Sequence, residues 1–339
     1  MPDRPRVMVT GAAGFIGFHV ARRLLADGRE VVGVDSLDPY YDPALKRARL
    51  ERLAHEVGWR FVAADLADEA ATRALFAETG PAAVVHLAGQ AGVRWSLDHP
   101  QAFVRSNLVA FSHVLEGCRH TGAPHLVYAS SSSVYGAATA VPYSESAVTD
   151  HPVSLYAATK KANESMAHAY AHLFGLPCTG LRLFTAYGPW GRPDMAYWTF
   201  TESILRGRPI DVFDHGRLER DFTYVDDVVE AVVRLIDRPA APDPGWDGTA
   251  PDPAASAAPW RIYNVGNHLP VTVARLIDIL EEICGRKAIR VEKPRPPGDL
   301  ERTCADVEAL RQAVACAPST PLETGLRRFV EWYREWARL

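Results

Sequence analysis

The stretch that most constrains the fold lies near the start of the chain. An apolar run ending at Thr10 passes directly into Gly11-Ala12-Ala13-Gly14-Phe15-Ile16-Gly17. A helical pattern, Phe15–Asp27, follows without a linker, and a second apolar run ends on Asp35, 18 residues beyond Gly17. Glycine permits a turn this tight, lets backbone approach a bound pyrophosphate, and lets the helix pack closely on the strand. The helix start offers free N–H groups and a positive partial charge to phosphate oxygens. A carboxylate at Asp35 can accept hydrogen bonds from ribose hydroxyls and would repel a 2′-phosphate. No arginine follows directly, so the pattern favours NAD over NADP. A glycine-rich turn in an α/β protein that binds no nucleotide is the competing reading.

Downstream, short apolar runs alternate with longer helical patterns. Strands are predicted at Arg6–Thr10, Glu30–Asp35, Arg60–Ala63, Ala83–Leu87, His125–Ala129 and Cys178–Leu183, and helices include Phe15–Asp27, Phe103–Thr121 and Leu155–Phe174. The strands are almost uniformly apolar, as expected where both faces of a parallel sheet are covered. The alternation predicts an α/β fold, a Rossmann-type doubly wound parallel sheet with a smaller C-terminal α/β lobe. At roughly 150 residues per domain, 339 residues suggest two domains. The first is expected over 1–182, rejoined by about 215–240 and 260–266. The second is expected mainly over 183–339 and to contain a mobile Pro/Ala-rich surface loop at 240–259. A helix should follow the Thr272 region, and Leu322–Leu339 reads as amphipathic.

Composition excludes several classes. With 47% hydrophobic and 23% charged residues the chain is not mostly disordered. A net charge of −4, without a long basic run, argues against nucleic acid as a partner. No stretch approaches 18 uninterrupted apolar residues, which excludes a membrane span. The five scattered cysteines fit neither a disulfide framework nor a zinc site, so no metal is expected. Buried reduced thiols and the lack of a secretory apolar core point to the cytoplasm.

Candidate catalytic groups come next. Tyr156 and Lys160, in Tyr-Ala-Ala-Thr-Lys, stand four residues apart and so share one side of a helix. An ammonium beside a phenol favours the phenolate, lowering a reference pKa near 10. Such a tyrosine can serve as a general base towards a hydroxyl. The spacing alone is common on exposed helices. Here it follows Ser131 by 25 residues, and Ser130-Ser131-Ser132-Ser133-Val134-Tyr135-Gly136 closes a strand, where open α/β sheets bind ligands.

The Gly-x-x-Gly-x-x-Gly spacing, Tyr156-x-x-x-Lys160 and the serine run together resemble the extended, sugar-nucleotide-modifying branch of the short-chain dehydrogenases/reductases. The resemblance implies that NAD is held by Gly11, Gly14, Phe15, Ile16, Gly17 and Asp35. It adds Asp65 and Leu66 after the third strand, Leu87, Ala88 and Gln90 after the fourth, Asn107 on the next helix, and Ser130, Tyr156 and Lys160. Ser131, three places before Val-Tyr-Gly, takes the family's catalytic hydroxyl position. The dehydratase branch carries Thr-Asp-Glu and the decarboxylases Thr-Ser-Glu where this chain has Ser131-Ser132-Ser133. Without those acids elimination is disfavoured, which leaves epimerisation.

Asp38–Leu50, with its Tyr40-Tyr41-Asp42-Pro43 core, and Arg182–Ala196, with Gly188-Pro189-Trp190-Gly191-Arg192-Pro193-Asp194, resemble the UDP-glucuronate 4-epimerases. That implies a UDP-sugar substrate, met by Ser131, Ser132, Thr185, Arg192, Arg220, Arg295 and Asp299, with tightly bound, recycled NAD. Arg295 fits a surface arginine almost equally well. Thr185 and the serines are expected to hold the sugar carboxylate and restrain loss of CO₂ from a 4-keto intermediate, with Arg192 near the carboxylate or on a closing loop. The resemblance also implies a homodimer pairing Phe103–Thr121 and Leu155–Phe174, although their apolar faces could equally be internal core. The rival readings are a UDP-glucose or UDP-N-acetylhexosamine 4-epimerase and a non-catalytic NAD-binding regulator.

Overall fold

The computed structural model describes residues 5–122, 125–295 and 300–339. Its strands are β1 (Val7–Thr10), β2 (Val31–Asp35), β3 (Trp59–Ala63), β4 (Ala83–His86), β5 (Leu126–Ser131), β6 (Cys178–Leu183), β7 (Thr185–Tyr187), β8 (Pro209–Phe213), β9 (Glu219–Tyr224), β10 (Trp260–Val265), β11 (Pro270–Thr272) and β12 (Ile289–Lys293). Seven form one sheet in the order β10-β6-β5-β4-β1-β2-β3. Registers from β3 to β6 are all parallel. The Cys178 and Phe184 N–H groups donate to the Pro259 and Val265 carbonyls, an offset of 81 residues in both cases, so β10 is parallel too. The doubly wound parallel sheet is therefore present, with its direction of winding reversing beside β1.

Burial follows position in that sheet. Every residue of β1, β2 and β4 is buried, whereas β3, at the edge, is only partly covered. The uniform apolarity expected of all strands thus holds best in the interior. Helix Phe15–Ala26 begins without a side-chain cap at Gly14 and has no acid in its first turn. Helix Leu155–Phe174 starts at a cap, the Ser154 hydroxyl accepting from the Ala157 N–H at 3.1 Å, and stops at Gly175 in the left-handed region. The helix predicted over Phe103–Thr121 is instead Pro100–Phe103, a wider π segment at Val104–Val109, and Ala110–Thr121.

The chain divides into two compact units. The first comprises residues 1–139, 145–183 and 229–264; the second comprises 140–144, 184–228 and 265–339. Two expectations change. Segment 240–259 belongs to the first unit because Ala254 and Ala258 are buried in the apolar cluster that holds Tyr128, Ala171 and Cys178, and the Ser256 hydroxyl meets the His168 ring at 2.9 Å. Residues 215–228 stay with the second unit, where β9 pairs with β7 and β11. The short crossing at 140–144 was not anticipated; Tyr143 bridges Ala305, and its N–H donates to the Cys304 carbonyl at 2.7 Å.

In the second unit, helix Val273–Cys284 is capped by the Thr272 hydroxyl, and Leu322–Ala337 is the closing amphipathic helix. All five cysteines are free thiols. Four are buried and Cys316 is partly exposed, because it lies in the irregular turn after helix Glu308–Val314 rather than in a core. Among the described residues no helix is long and apolar enough to cross a membrane, and no cluster of metal-ligating side chains occurs.

Candidate functional site

The glycine turn is held from three sides. Gly11 has φ +69°, and a Cβ there would lie 2.8 Å from the Ala88 amide nitrogen. A Cβ on Gly17 would overlap the Gly11 carbonyl. The three glycines thus let helix Phe15–Ala26 pack on its own entry turn and let that turn lie against the Leu87-Ala88 end of β4. The Leu87 N–H donates to the Thr10 carbonyl and the Ala88 N–H to the Thr10 hydroxyl, each at 3.2 Å. Gly14, Phe15 and Ile16 form an uncapped, acid-free helix start, which fits the diphosphate of NAD.

Asp35 is buried and already partnered. Its Oδ2 accepts from the Ala13 N–H at 3.1 Å and its Oδ1 from the Leu37 N–H at 2.8 Å, with Lys46 Nζ at 3.6 Å. Arg49, fully buried, donates to the Ala13 carbonyl at 2.8 Å and the Tyr41 hydroxyl at 2.6 Å. No arginine directly follows Asp35 in the sequence. Folding nevertheless brings two cations beside it from helix Pro43–Leu53, one bound to the carboxylate and one to the glycine turn.

Asp65 stands apart from that cluster. It is exposed and paired with Arg105 at 2.7 Å. Partial burial opposes its ionisation, but the Arg105 hydrogen bond and the Ala67 N–H outweigh this and hold its carboxyl below the usual range. Leu66 is buried, and its carbonyl accepts from Thr72 and contacts the His113 ring.

Asn107 lies in the π segment and bridges the fourth strand's exit to the tyrosine helix. Its Oδ1 accepts from the Gln90 N–H at 2.8 Å, and its Nδ2 donates to the Gln90 carbonyl and the Thr159 hydroxyl, each at 3.0 Å. Asn163 Nδ2 donates to the Asn107 carbonyl at 2.6 Å. A π segment shifts the backbone hydrogen-bond register, and here a side chain from the tyrosine helix meets that carbonyl.

Lys160 is buried and donates to the Ala129 carbonyl of β5 at 2.9 Å. Burial lowers its pKa to about 8. Tyr156 is half-buried, one helical turn earlier, its ring edge-on to Phe103 at 6.0 Å. Ser131 ends β5, and its hydroxyl accepts from the Ser133 N–H at 3.1 Å, starting the single turn Ser132–Tyr135. Ser130 turns the other way and donates to Glu164 at 2.6 Å. His86, at the end of β4, pairs with the Thr10 hydroxyl; burial first and the Lys160 charge second lower its pKa to about 3.

Sequence reasoning missed the group beneath this surface. Glu164 binds Arg182 through two hydrogen bonds, at 2.9 and 3.0 Å, with both side chains almost wholly buried. Arg182 also donates to the Tyr135 hydroxyl at 3.2 Å and the Glu145 carbonyl at 3.0 Å. One signal was present: Glu164 continues the four-residue spacing of Tyr156 and Lys160.

In the second unit the predicted residues are less gathered. Thr185 is half-buried on β7, opposite Phe222. Arg192 forms a fork with Asp194 at 3.0 and 2.6 Å. It follows Trp190, whose φ of +62° is uncommon for a bulky residue and whose ring packs against Trp332 and Trp336. Arg220 donates to the Glu219 and Leu300 carbonyls at 2.9 Å each. Arg295 is exposed, 3.7 Å from Glu301. Asp299 lies outside the described residues. Next to Arg220, Asp221 is buried and accepts from the Asn267, His268 and Ala305 N–H groups. Burial raises its pKa against those bonds.

Comparison with known proteins adds to this geometry. The model of the NAD dependent epimerase/dehydratase family matches residues 7–251. A probable UDP-glucuronate 4-epimerase of Rhizobium meliloti is 45% identical over 97% of this chain and 96% of its own. Among solved structures, UDP-glucuronic acid 4-epimerase from Bacillus cereus, in complex with UDP-glucuronic acid and NAD, superposes with a TM-score of 0.86 at 29% identity, covering 98% of this chain and 99% of that one. UDP-glucose 4-epimerase from Thermotoga maritima with UDP-glucose gives 0.85 at 29% identity, with the same coverage. With its glycine turn, its Tyr156–Lys160 pair and these likenesses along nearly its whole length, the chain belongs to the NAD dependent epimerase/dehydratase family.

Proposed function

We propose that this protein interconverts UDP-glucuronate and UDP-galacturonate by inverting C4. The observation that carries the reading is the placement of Tyr156 and Lys160 on one helix, with Lys160 bound to β5 two residues before Ser131. Gly11, Gly14, Phe15, Ile16, Gly17 and Asp35 would hold NAD at the first turn, and Asp65, Leu66, Leu87, Ala88, Gln90, Asn107 and Ser130 would complete its surroundings. When bound, NAD supplies a reversible hydride acceptor, so that C4 can pass through a ketone and be reduced from its other face.

The chain's own part is acid–base and positional. Tyr156 Oη removes the proton from the C4 hydroxyl and later returns it. Lys160 favours the phenolate by its charge, and Ser131 hydrogen-bonds the same hydroxyl. Ser131-Ser132-Ser133 lacks the carboxylic acid that a dehydration would use to protonate a leaving hydroxyl. Ser132 and Thr185 donate to the sugar carboxylate, holding the C–CO₂⁻ bond away from the geometry that favours CO₂ loss. Arg192 adds charge near it, while Arg220, Arg295 and Asp299 serve the uridine diphosphate. In this reading the first unit binds cofactor and the second binds the nucleotide sugar.

The protein is further read as a cytoplasmic homodimer. Its free thiols support the compartment. Leu173 and Phe174, exposed at the end of the tyrosine helix, support pairing of that helix between copies. A UDP-glucose 4-epimerase is the second reading, favoured by the close fit to the Thermotoga maritima structure. The test is to incubate pure protein, without added NAD, with UDP-glucuronate, UDP-glucose and UDP-N-acetylglucosamine, and to separate the products. Conversion of the glucuronate alone, without pentose, and its loss in Tyr156→Phe with NAD still bound, is the expected result. Turnover of UDP-glucose alone would establish the second reading, and an active Tyr156→Phe would remove the assigned base.

A further inference from the structure

Tyr156, Lys160 and Glu164 lie at i, i+4 and i+8, so a carboxylate stands one helical turn from the lysine whose charge the tyrosine needs. A lysine and a glutamate at this spacing ordinarily attract one another. Here they do not pair: among the described residues no carboxylate is within ion-pair distance of Lys160, which donates only to the Ala129 carbonyl. Both Glu164 oxygens are committed elsewhere. Oε1 accepts from Ser130 and from Arg182 Nε, and Oε2 accepts from Arg182 Nη2. Successive turns of the helix therefore grip successive residues of β5, Lys160 on Ala129 and Glu164 on Ser130, immediately before Ser131.

Arg182 reaches the remaining element too. Its Nη1 donates to the hydroxyl of Tyr135, which in turn donates to Asn264 Oδ1 at 2.7 Å. One buried guanidinium thus touches the tyrosine helix and the turn after Ser131, and is tied to β5 through Glu164. A buried bidentate pair needs desolvation to be offset by good geometry, so its retention is weak evidence for stability. A function in orientation is a better account of its place.

We propose that Arg182 and Glu164 are positioning residues for the Tyr156 base. Arg182 engages the Glu164 carboxylate, fixes the helix against the serine strand, and leaves the Lys160 charge directed at Tyr156. Neither residue is assigned a contact with substrate or cofactor. The proposal rests on Tyr156 being the base of the reaction described above.

The test follows kcat and KM against pH, and the NAD-to-protein ratio, for wild type, Arg182→Met, and Arg182→Met/Glu164→Leu. Wild-type epimerisation is measured first, since its absence would defeat the functional reading rather than this one. In Arg182→Met the freed carboxylate pairs with Lys160, so the rising limb of kcat should move about one unit to higher pH and kcat at pH 7 should fall about tenfold. KM should stay within about threefold and NAD should remain bound. The double variant removes the competing carboxylate and should bring the limb back to within about 0.3 unit of wild type. An unmoved limb in the single variant, or an equal displacement in the double, would overturn the proposal. If Arg182→Met does not fold, Arg182→Lys replaces it: an intermediate displacement supports the role, and none overturns it.

Discussion

Two of the arginine–carboxylate forks among the described residues differ in almost every physical respect. Arg182 and Glu164 are 18 residues apart in sequence, join a strand to a helix, and are 0% and 3% exposed. Arg192 and Asp194 are two residues apart on one loop, with side chains 23% and 30% exposed. The first has no water to fall back on, and its hydrogen-bonding groups are met by Ser130, Tyr135 and the Glu145 carbonyl. The second pairs locally and keeps access to solvent, so another anion can replace its carboxylate at little cost. A buried fork holds an arrangement in place, whereas a half-exposed one keeps a cation available.

The larger of two substitution effects should fall on the buried fork. Removing one partner of a buried pair leaves an uncompensated charge, so Arg182→Met should lose about 3–5 kcal/mol of stability in denaturant unfolding. A loss under about 1 kcal/mol would mean that the two forks are alike. Arg192→Met should change stability by less than about 1 kcal/mol, the range for exposed pairs. The same substitution should raise the KM for the UDP-sugar several-fold, by about 1 kcal/mol of binding. An unchanged KM would leave Arg192 as an ordinary surface residue.

The contrast also explains what could be read from sequence. The tight turn at Gly11–Gly17 and the one-turn spacing of Tyr156 and Lys160 are legible because local geometry dictates them, whereas Ser131 is reached only through the family resemblance. Helix Leu155–Phe174 and strand β6 match their expected limits, the helix being bounded by the Ser154 cap and by Gly175. Arg182 appeared in the sequence only as the head of a motif stretch, since its partner lies on another element. The π segment at Val104–Val109 was hidden because its amphipathic pattern looks like that of any helix.

The placement of 240–259 was misread for a related reason. Pro, Ala and Gly suggested a loop free of the core, but Ala254 and Ala258 find apolar partners near the tyrosine helix. In the sequence Asp35 stands out only as a ribose acceptor. Its hydrogen bonds from Ala13 and Leu37 show that the same carboxylate also braces the turn.

In the proposed reaction Tyr156 handles only the hydroxyl proton, while the hydrogen on C4 never becomes exchangeable. The most direct measurement uses UDP-glucuronate carrying deuterium at C4, turned over in ordinary water, with the product's C4 position read by mass spectrometry or NMR. Deuterium is expected to be retained at C4 of UDP-galacturonate. Replacement by solvent hydrogen would contradict the proposed reaction, because the C4 hydrogen would then have left as a proton.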